Sequence, residues 1–331
     1  MKITLIGQDV APSQVLHLLA GALQAAGHTT SEFLAHGKEM PGRAEDRAEV
    51  INRFDALVVG MSSSEALASE EIAAATLARS LKIPVFFVAD TFNVHNRPWF
   101  KELLEGQTLF HISEAQAAAA RQVLPDTNVI ATGNPAWENF FYSKKTRTQV
   151  REVLGYDDEA RLILVPGGKS LEVNTLHFKK AAEIARASGA TALISLHPGD
   201  KNSVEAYEGS IGTGMHIRFI PASVMKGSEI LPGVDWVLES ASGIGVEAAC
   251  QRIPIFTWFS PAAKARLKEA TGSEEWPLCT EGVSCLLPED FSGSLVEIDH
   301  KSYSDRAVEF FQPPAEPGEA LKKMVEAITG Q

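Results

Sequence analysis

Cysteine is scarce in this sequence. Its 331 residues hold three, Cys250, Cys279 and Cys285, and none stands in CxxC spacing. That argues against a disulfide framework and a zinc cluster and fits a reducing, cytoplasmic setting. Long apolar runs are lacking too: no stretch approaches the ~20 residues of a membrane span, and MKITLIG gives way to Gln8 and Asp9 too soon for a signal peptide. Positive charge is in short supply. Lys and Arg number 30 against 42 Asp and Glu, a formal charge of −12. Binding to a phosphate backbone is driven by Lys and Arg displacing counterions, so nucleic acid is a disfavoured partner. No solenoid repeat and no low-complexity segment occurs.

What is present is an ordinary globular composition, 45% hydrophobic and 22% charged, in a length that favours two domains of about 150 residues. Short apolar runs alternate with amphipathic helices. Lys2 to Ile6 leads into a helix from about Ser13 to Ala26, and Ala56 to Val59 into one from about Ser69 to Leu81. Pro84 to Ala89, Thr108 to Ile112 with a helix from Glu114 to Val123, and Val129 to Thr132 complete the first half. After the polar connection NFFYSKKTRTQ the theme restarts. Strands are expected at Arg161 to Val165, Thr191 to Leu196, His216 to Ile220, Asp235 to Leu238 and Ile255 to Trp258, with a helix at Thr175 to Ser188. The pattern predicts α/β domains with parallel sheets covered on both faces. Their expected bounds are 1–143 and 149–307, followed by a helical tail at 308–331. Ligands in such sheets bind beyond the carboxyl ends of the strands, and two such domains are expected to face one another across a cleft.

The residues after each strand are therefore the candidates. PGGKS (166–170) fails the Walker pattern, because the glycine required five positions before Gly168 is Ile163. It is either a plain strand-to-helix turn or a place where backbone approaches a ligand, with Lys169 and Ser170 beside Gly167 and Gly168. His197 is kept out of helical geometry by Pro198, and its imidazole is a donor for a phosphate or hydroxyl. The backbone of Ile220 and Ala222 is a candidate reader of a nucleobase edge. In ESASGIGVEAACQRIP (239–254), Ser240 and Ser242 are candidate caps for a helix whose free N–H groups attract an anion. Glu247 lies about 7 Å further along the axis, within reach of a ribose. The sequence GIGVEA misses the GxGxxG dinucleotide fingerprint.

In the first half, strand ends offer Gln8 and Ser62, and ADTFNVHNRPWF gathers Asp90, Asn93, His95 and Arg97. Asp90 is the candidate general base and Arg97 a clamp for an acidic group; the alternative is an Asp capping its turn with an Arg paired to it. Asp157 and Asp158 precede a strand and are expected to be turn residues.

Together ATGNP (131–135), PGGKS, LHPG (196–199) and DWVLESASGIGVEAACQRIPIF (235–256) resemble the GT-B superfamily of nucleotide-sugar enzymes, which includes glycosyltransferases and UDP-N-acetylglucosamine 2-epimerases. The resemblance implies two Rossmann-like domains, with the donor held mainly by the second. Ser242 and Gly243 would bind its phosphate and Glu247 its ribose, with Ser240 and Ile244 in the same set. His197 would lie near the phosphate or sugar, Ile220 would meet the base, and Gly167, Gly168, Lys169 and Ser170 would line the site. Asp90 would be catalytic, with Gln8, Ser62, Asn93, His95 and Arg97 on the acceptor side. The resemblance implies no metal and no cofactor besides the nucleotide-sugar, for which UDP is favoured over CMP and GDP. A glycan, lipid or small molecule is the expected acceptor, and a homodimer is compatible with the reading. The first strand runs into LIGQDVAPS and not a GTRPE-like turn, which ranks epimerase or hydrolase action below glycosyl transfer. A non-catalytic binding scaffold is the third reading.

Overall fold

The computed structural model describes residues 1–211, 216–271 and 273–330; Gln331, the last residue of the expected tail, lies outside them. A strand covered on both faces reads as a near-continuous apolar run, and ALVVG and LILVP do: every residue of both is buried. Six strands form the first sheet: β1 (Lys2–Gly7), β2 (Thr29–Leu34), β3 (Ala56–Gly60), β4 (Val85–Val88), β5 (Thr108–His111) and β6 (Asn128–Ala131). Their order is β2-β1-β3-β4-β5-β6 and every pairing is parallel. The second sheet is built from β7 (Leu162–Pro166), β8 (Thr191–Ser195), β9 (Ile217–Phe219), β10 (Trp236–Glu239), β11 (Ile255–Thr257) and β12 (Cys285–Leu286). It runs β12-β11-β10-β7-β8-β9, again all parallel.

Two compact units divide the chain, Met1–Asn139 with Gln312–Gln331, and Phe140–Phe311. In the first, Val15, Leu16, Leu19, Ala20 and Leu23 recur at helical spacing and pack on Ile3, Leu5 and Val58. Their helix, Val10–Ala25, begins three residues before the expected Ser13 because the Asp9 carboxylate accepts from the Val10 N–H at 2.8 Å. Pro12 falls in the first turn, where no intrahelical N–H is needed. Ser13 does not cap that helix; its hydroxyl donates to the Gly7 carbonyl at 2.9 Å. The terminal helix Glu319–Thr329 completes this core with Met324 and Ile328. Its start is held by the Glu138 carboxylate, which accepts from the Gly318 and Ala320 N–H groups at 2.7 and 2.6 Å.

The second unit packs Phe178, Ala181, Ile184 and Ala185 on Ile163, Val165, Ile194 and Leu238. Their helix, Leu171–Ser188, ends where Gly189 turns to φ +59, a conformation open to glycine without a Cβ penalty. Among the described residues no helix is long and apolar enough to cross a membrane.

Candidate functional site

In the second sheet the chain steps outward from β7 to β8 and β9 on one side, and from β10 to β11 and β12 on the other. The seam between β7 and β10 is therefore a topological switch point, where an α/β sheet opens a crevice at its carboxyl end. PGGKS leaves β7 and ESASG leaves β10, so both expected donor segments end at this seam. His197 follows β8, the neighbour of β7, and Ile220 follows β9 at the sheet edge.

The PGGKS turn is tightly held. A Cβ on Gly167 would lie 3.1 Å from Phe178 Cζ, so the backbone rests directly on the core. Asn174 clamps Gly168, accepting its N–H at 2.7 Å and donating to its carbonyl at 3.0 Å. The Asn174 amide also donates to Asp200 at 3.1 Å and Tyr207 at 2.9 Å, and the Tyr207 hydroxyl donates to Asp200 at 2.6 Å. Asn174 thus ties the turn after β7 to the LHPGD loop after β8. Lys169 is exposed, and Ser170 occupies the N-cap of Leu171–Ser188 without using its hydroxyl there. His197 Nδ1 accepts the Gly199 N–H at 2.8 Å, which leaves Nε2–H as the donor of the neutral ring. Partial burial, then the charge of Lys169, holds its pKa below the usual histidine value. The Ile220 N–H is already spent on the Ile194 carbonyl at 2.9 Å, so its backbone has only an acceptor left for a base edge.

ESASG is shaped by Glu239, a residue the sequence did not single out. Fully buried, it accepts from the Ser242 N–H at 2.6 Å and from the Thr257 hydroxyl, and burial pushes its pKa up to about 7. Ala241 takes φ +56, left-handed backbone that is uncommon outside glycine, and Ser242 then caps the helix Gly243–Cys250 by accepting the Ile244 N–H. Of the two serines expected to cap, only Ser242 does; the Ser240 hydroxyl is buried with no hydrogen-bond partner among the described residues. A Cβ on Gly245 would come within 3.1 Å of Leu278 and 3.4 Å of the Glu239 carboxyl, whereas one on Gly243 would meet nothing. Gly245 lets the helix seat on Glu239, and Gly243 leaves the first helical N–H, which has no intrahelical acceptor, exposed. Glu247 is half-buried and its side chain makes no hydrogen bond or ion pair with any described residue, so burial alone pushes its pKa up to about 7.

The first sheet has its own switch point, between β1 and β3. Gln8 and Ser62 sit at that seam, joined by Glu71, which the sequence reading missed. Glu71 is fully buried and accepts from the Gln8 N–H at 3.0 Å, the Ser62 N–H at 3.0 Å and the Ser62 hydroxyl at 2.8 Å. Burial pushes its pKa up to about 7. Only a glycine fits at position 60, where a Cβ would lie 2.7 Å from Pro12 and 2.9 Å from Glu71 Oε1. In SEEIAAATLARS, Glu71 looks like a first-turn acid favouring the helix dipole, which is why nothing in the spacing revealed it.

Asp90 follows β4 and is 8% exposed. Burial pushes its pKa up to about 6, against the opposing pull of Arg97. The Arg97 guanidinium stands 3.6 Å from Asp90 Oδ1, beyond hydrogen-bond length, and donates instead to the Met61 carbonyl. Oδ1 of Asp90 consequently has no hydrogen-bond partner among the described residues. The ATGNP segment steadies this loop, since Asn134 donates to the Asp90 carbonyl at 2.8 Å. Asn93 is exposed at φ +56, and its N–H donates to Gln116 at 2.7 Å. His95 lies behind it in a buried pair with His111, at 3.0 Å. His111 Nδ1 accepts the Ile112 N–H, so its Nε2–H donates to His95 Nδ1 and both rings are neutral; burial lowers both pKa values, that of His111 to about 3. Asp157 accepts from the Glu159 and Ala160 N–H groups as a turn residue. Among the described residues no group of three or more His, Cys, Asp or Glu is placed to share a metal ion.

Two Rossmann-like units in series, each a parallel six-stranded sheet with its switch point furnished by glycine turns, define the GT-B fold, and the chain has it. Solved structures of that fold cover it almost end to end. A UDP-GlcNAc 2-epimerase from Neisseria meningitidis, bound to UDP-GlcNAc, is similar with a TM-score of 0.64 and 16% identity over 100% of both chains. A glycosyltransferase from Rickettsia africae aligns with a TM-score of 0.61 and 12% identity over 99% of this chain and 98% of its own. MurG from Acinetobacter baumannii does so at 0.59 and 14%, over 100% and 99%. The chain matches no protein-family model and no curated protein sequence.

Proposed function

We propose that the chain is a glycosyltransferase that moves a sugar from a nucleotide-sugar, UDP-linked by preference, to the hydroxyl of a glycan, lipid or small-molecule acceptor, without a bound metal. The observation that carries this reading is the helix Gly243–Cys250: its first turn opens at a switch point beside Glu247, a carboxylate with no partner among the described residues. Phosphate on the helix N-terminus with ribose hydroxyls on Glu247 would use both. His197 Nε2–H and Lys169 add a donor and a positive charge. The Neisseria structure, similar over its whole length, holds UDP-GlcNAc.

In this reading the first unit binds the acceptor and supplies the base. The acceptor oxygen bonds to the anomeric carbon, the bond from that carbon to the nucleotide phosphate breaks, and the hydroxyl proton passes to the Asp90 carboxylate. A carboxyl with a pKa near 6 is a better base than an ordinary aspartate and is still ionised at neutral pH. The departing phosphate gains charge at preorganised N–H groups, an interaction for which loss of one donor costs roughly 10²–10³ in rate. The test is nucleotide release from UDP, CMP and GDP sugars across an acceptor panel, in chelator. Acceptor-dependent release is expected; the absence of both turnover and binding for every donor would refute the reading.

A second reading has one observation of its own. Glu71 and Asp90 are both buried, burial pushes their pKa values up to about 7 and about 6, and the charge of Asp90 adds to the rise at Glu71, an arrangement suited to moving a proton within one nucleotide-sugar, as in an epimerase. Conversion without acceptor, with solvent deuterium entering the carbon beside the anomeric centre, would replace the first reading with this one.

A further inference from the structure

A hollow of about 500 Å3 lies in the second unit at the amino ends of β10 and β11, the opposite end of the sheet from ESASG. The helix Gly243–Cys250 spans the distance between the two ends, about 12 Å. The wall of the hollow includes Arg147, Arg252, His300 and a single acid, Asp235. That carboxylate is already saturated: Oδ1 accepts from Arg147 at 2.6 Å, and Oδ2 from Arg151 at 3.1 Å and the Leu162 N–H at 2.8 Å. In the wall itself two guanidinium charges, Arg147 and Arg252, stand against one carboxylate and leave a local surplus of +1, in a chain whose formal charge is −12.

Arg252 is the free member of the group. Its side chain is exposed and makes no hydrogen bond or ion pair with any described residue, and its backbone holds φ +60, where a non-glycine residue is uncommon. Phe141 and Pro254 add apolar wall, so the hollow joins a cationic lip to a surface for a carbon skeleton. A phosphate monoester carries close to two negative charges at neutral pH and presents three oxygens to guanidinium forks. We infer that this hollow is a second ligand site, for a small phosphorylated organic molecule, separate from the switch-point site and independent of the glycosyltransferase reading.

Calorimetric titration of the full chain with glycerol 3-phosphate tests it, with Arg252→Glu, Arg252→Gln and, as the control at the other end of the helix, Ser242→Asp. Saturable binding by the wild type is expected, weakened at least about tenfold in Arg252→Glu and by less in Arg252→Gln, and kept in Ser242→Asp. Because Arg252 is exposed and unpaired, thermal unfolding of its variants should match the wild type. No binding by the wild type, equal binding by Arg252→Glu, or binding abolished only by Ser242→Asp would overturn the assignment.

Discussion

Glu247 and Asp90 hold their protons more tightly than exposed carboxyls do, and for both the main cause is burial. For Glu247 the value rises from 4.5 to about 7. A carboxyl that binds its proton better folded than unfolded contributes stability that is complete below the unfolded value and is lost as pH rises through the folded one. The wild type should therefore lose stability between about pH 4.5 and 7, and Glu247→Gln should remove that part of the loss. Urea unfolding should show the variant about 1 kcal/mol more stable than the wild type at pH 8 and no more stable at pH 4; partial exposure keeps the figure well below the full shift. A substitution that stabilises the fold while weakening nucleotide binding marks a residue held for function. Asp90 gives a kinetic counterpart: turnover should rise with a midpoint near pH 6 as the base ionises, and Asp90→Asn should lose at least about 10²-fold and that limb with it. The sequence indicated Asp90 because it follows a strand, and Glu247 because its place along the helix axis beyond Ser242 puts it within reach of a ribose. Glu71 and Glu239 were illegible, since a buried acid is recognised by the N–H groups that converge on it, and these come from residues 8, 62 and 242, set by the fold and not by spacing.

At the scale of elements, the runs that read plainly were the apolar ones. Thr108–His111, Glu114–Val123 and Ala56–Gly60 lie within a residue of where the pattern places them. The strand TTSEFL was not legible: β2 is a sheet edge, none of its residues is fully buried, and its first four are polar. Leu171–Ser188 starts a turn before the expected Thr175 because Leu171 is exposed and breaks the helical pattern. Close approach of elements depends on particular glycines. Gly60→Ala would push a methyl group into Pro12 and Glu71 at the β1/β3 seam and should cost about 2–3 kcal/mol in urea unfolding. Gly243→Ala, whose Cβ meets nothing, should leave stability within about 0.5 kcal/mol while reducing nucleotide affinity.

For the whole molecule, alternating strands and helices in two series made two parallel α/β units legible, because parallel sheets need helical crossovers and each restart is visible as a new apolar run; the GT-B arrangement was legible only through the resemblance carried by ATGNP, PGGKS, LHPG and the 235–256 segment. The return of the tail to the first unit was not, since nothing in EALKKMVEAIT says which core will accept Met324 and Ile328. Deleting residues 312–331 should accelerate hydrogen exchange in Val10–Ala25 and leave Leu171–Ser188 unchanged. The central claim, that the second unit holds a nucleotide on the helix Gly243–Cys250 with its ribose on Glu247, is tested most directly by calorimetric titration of UDP, with CMP and GDP alongside, into wild type and Glu247→Ala. Saturable binding is expected, with UDP preferred and a loss of about tenfold or more in the variant, the scale of one charge-assisted hydrogen-bond pair. Equal affinity in the two proteins, or no binding of any nucleotide to the wild type, would contradict it.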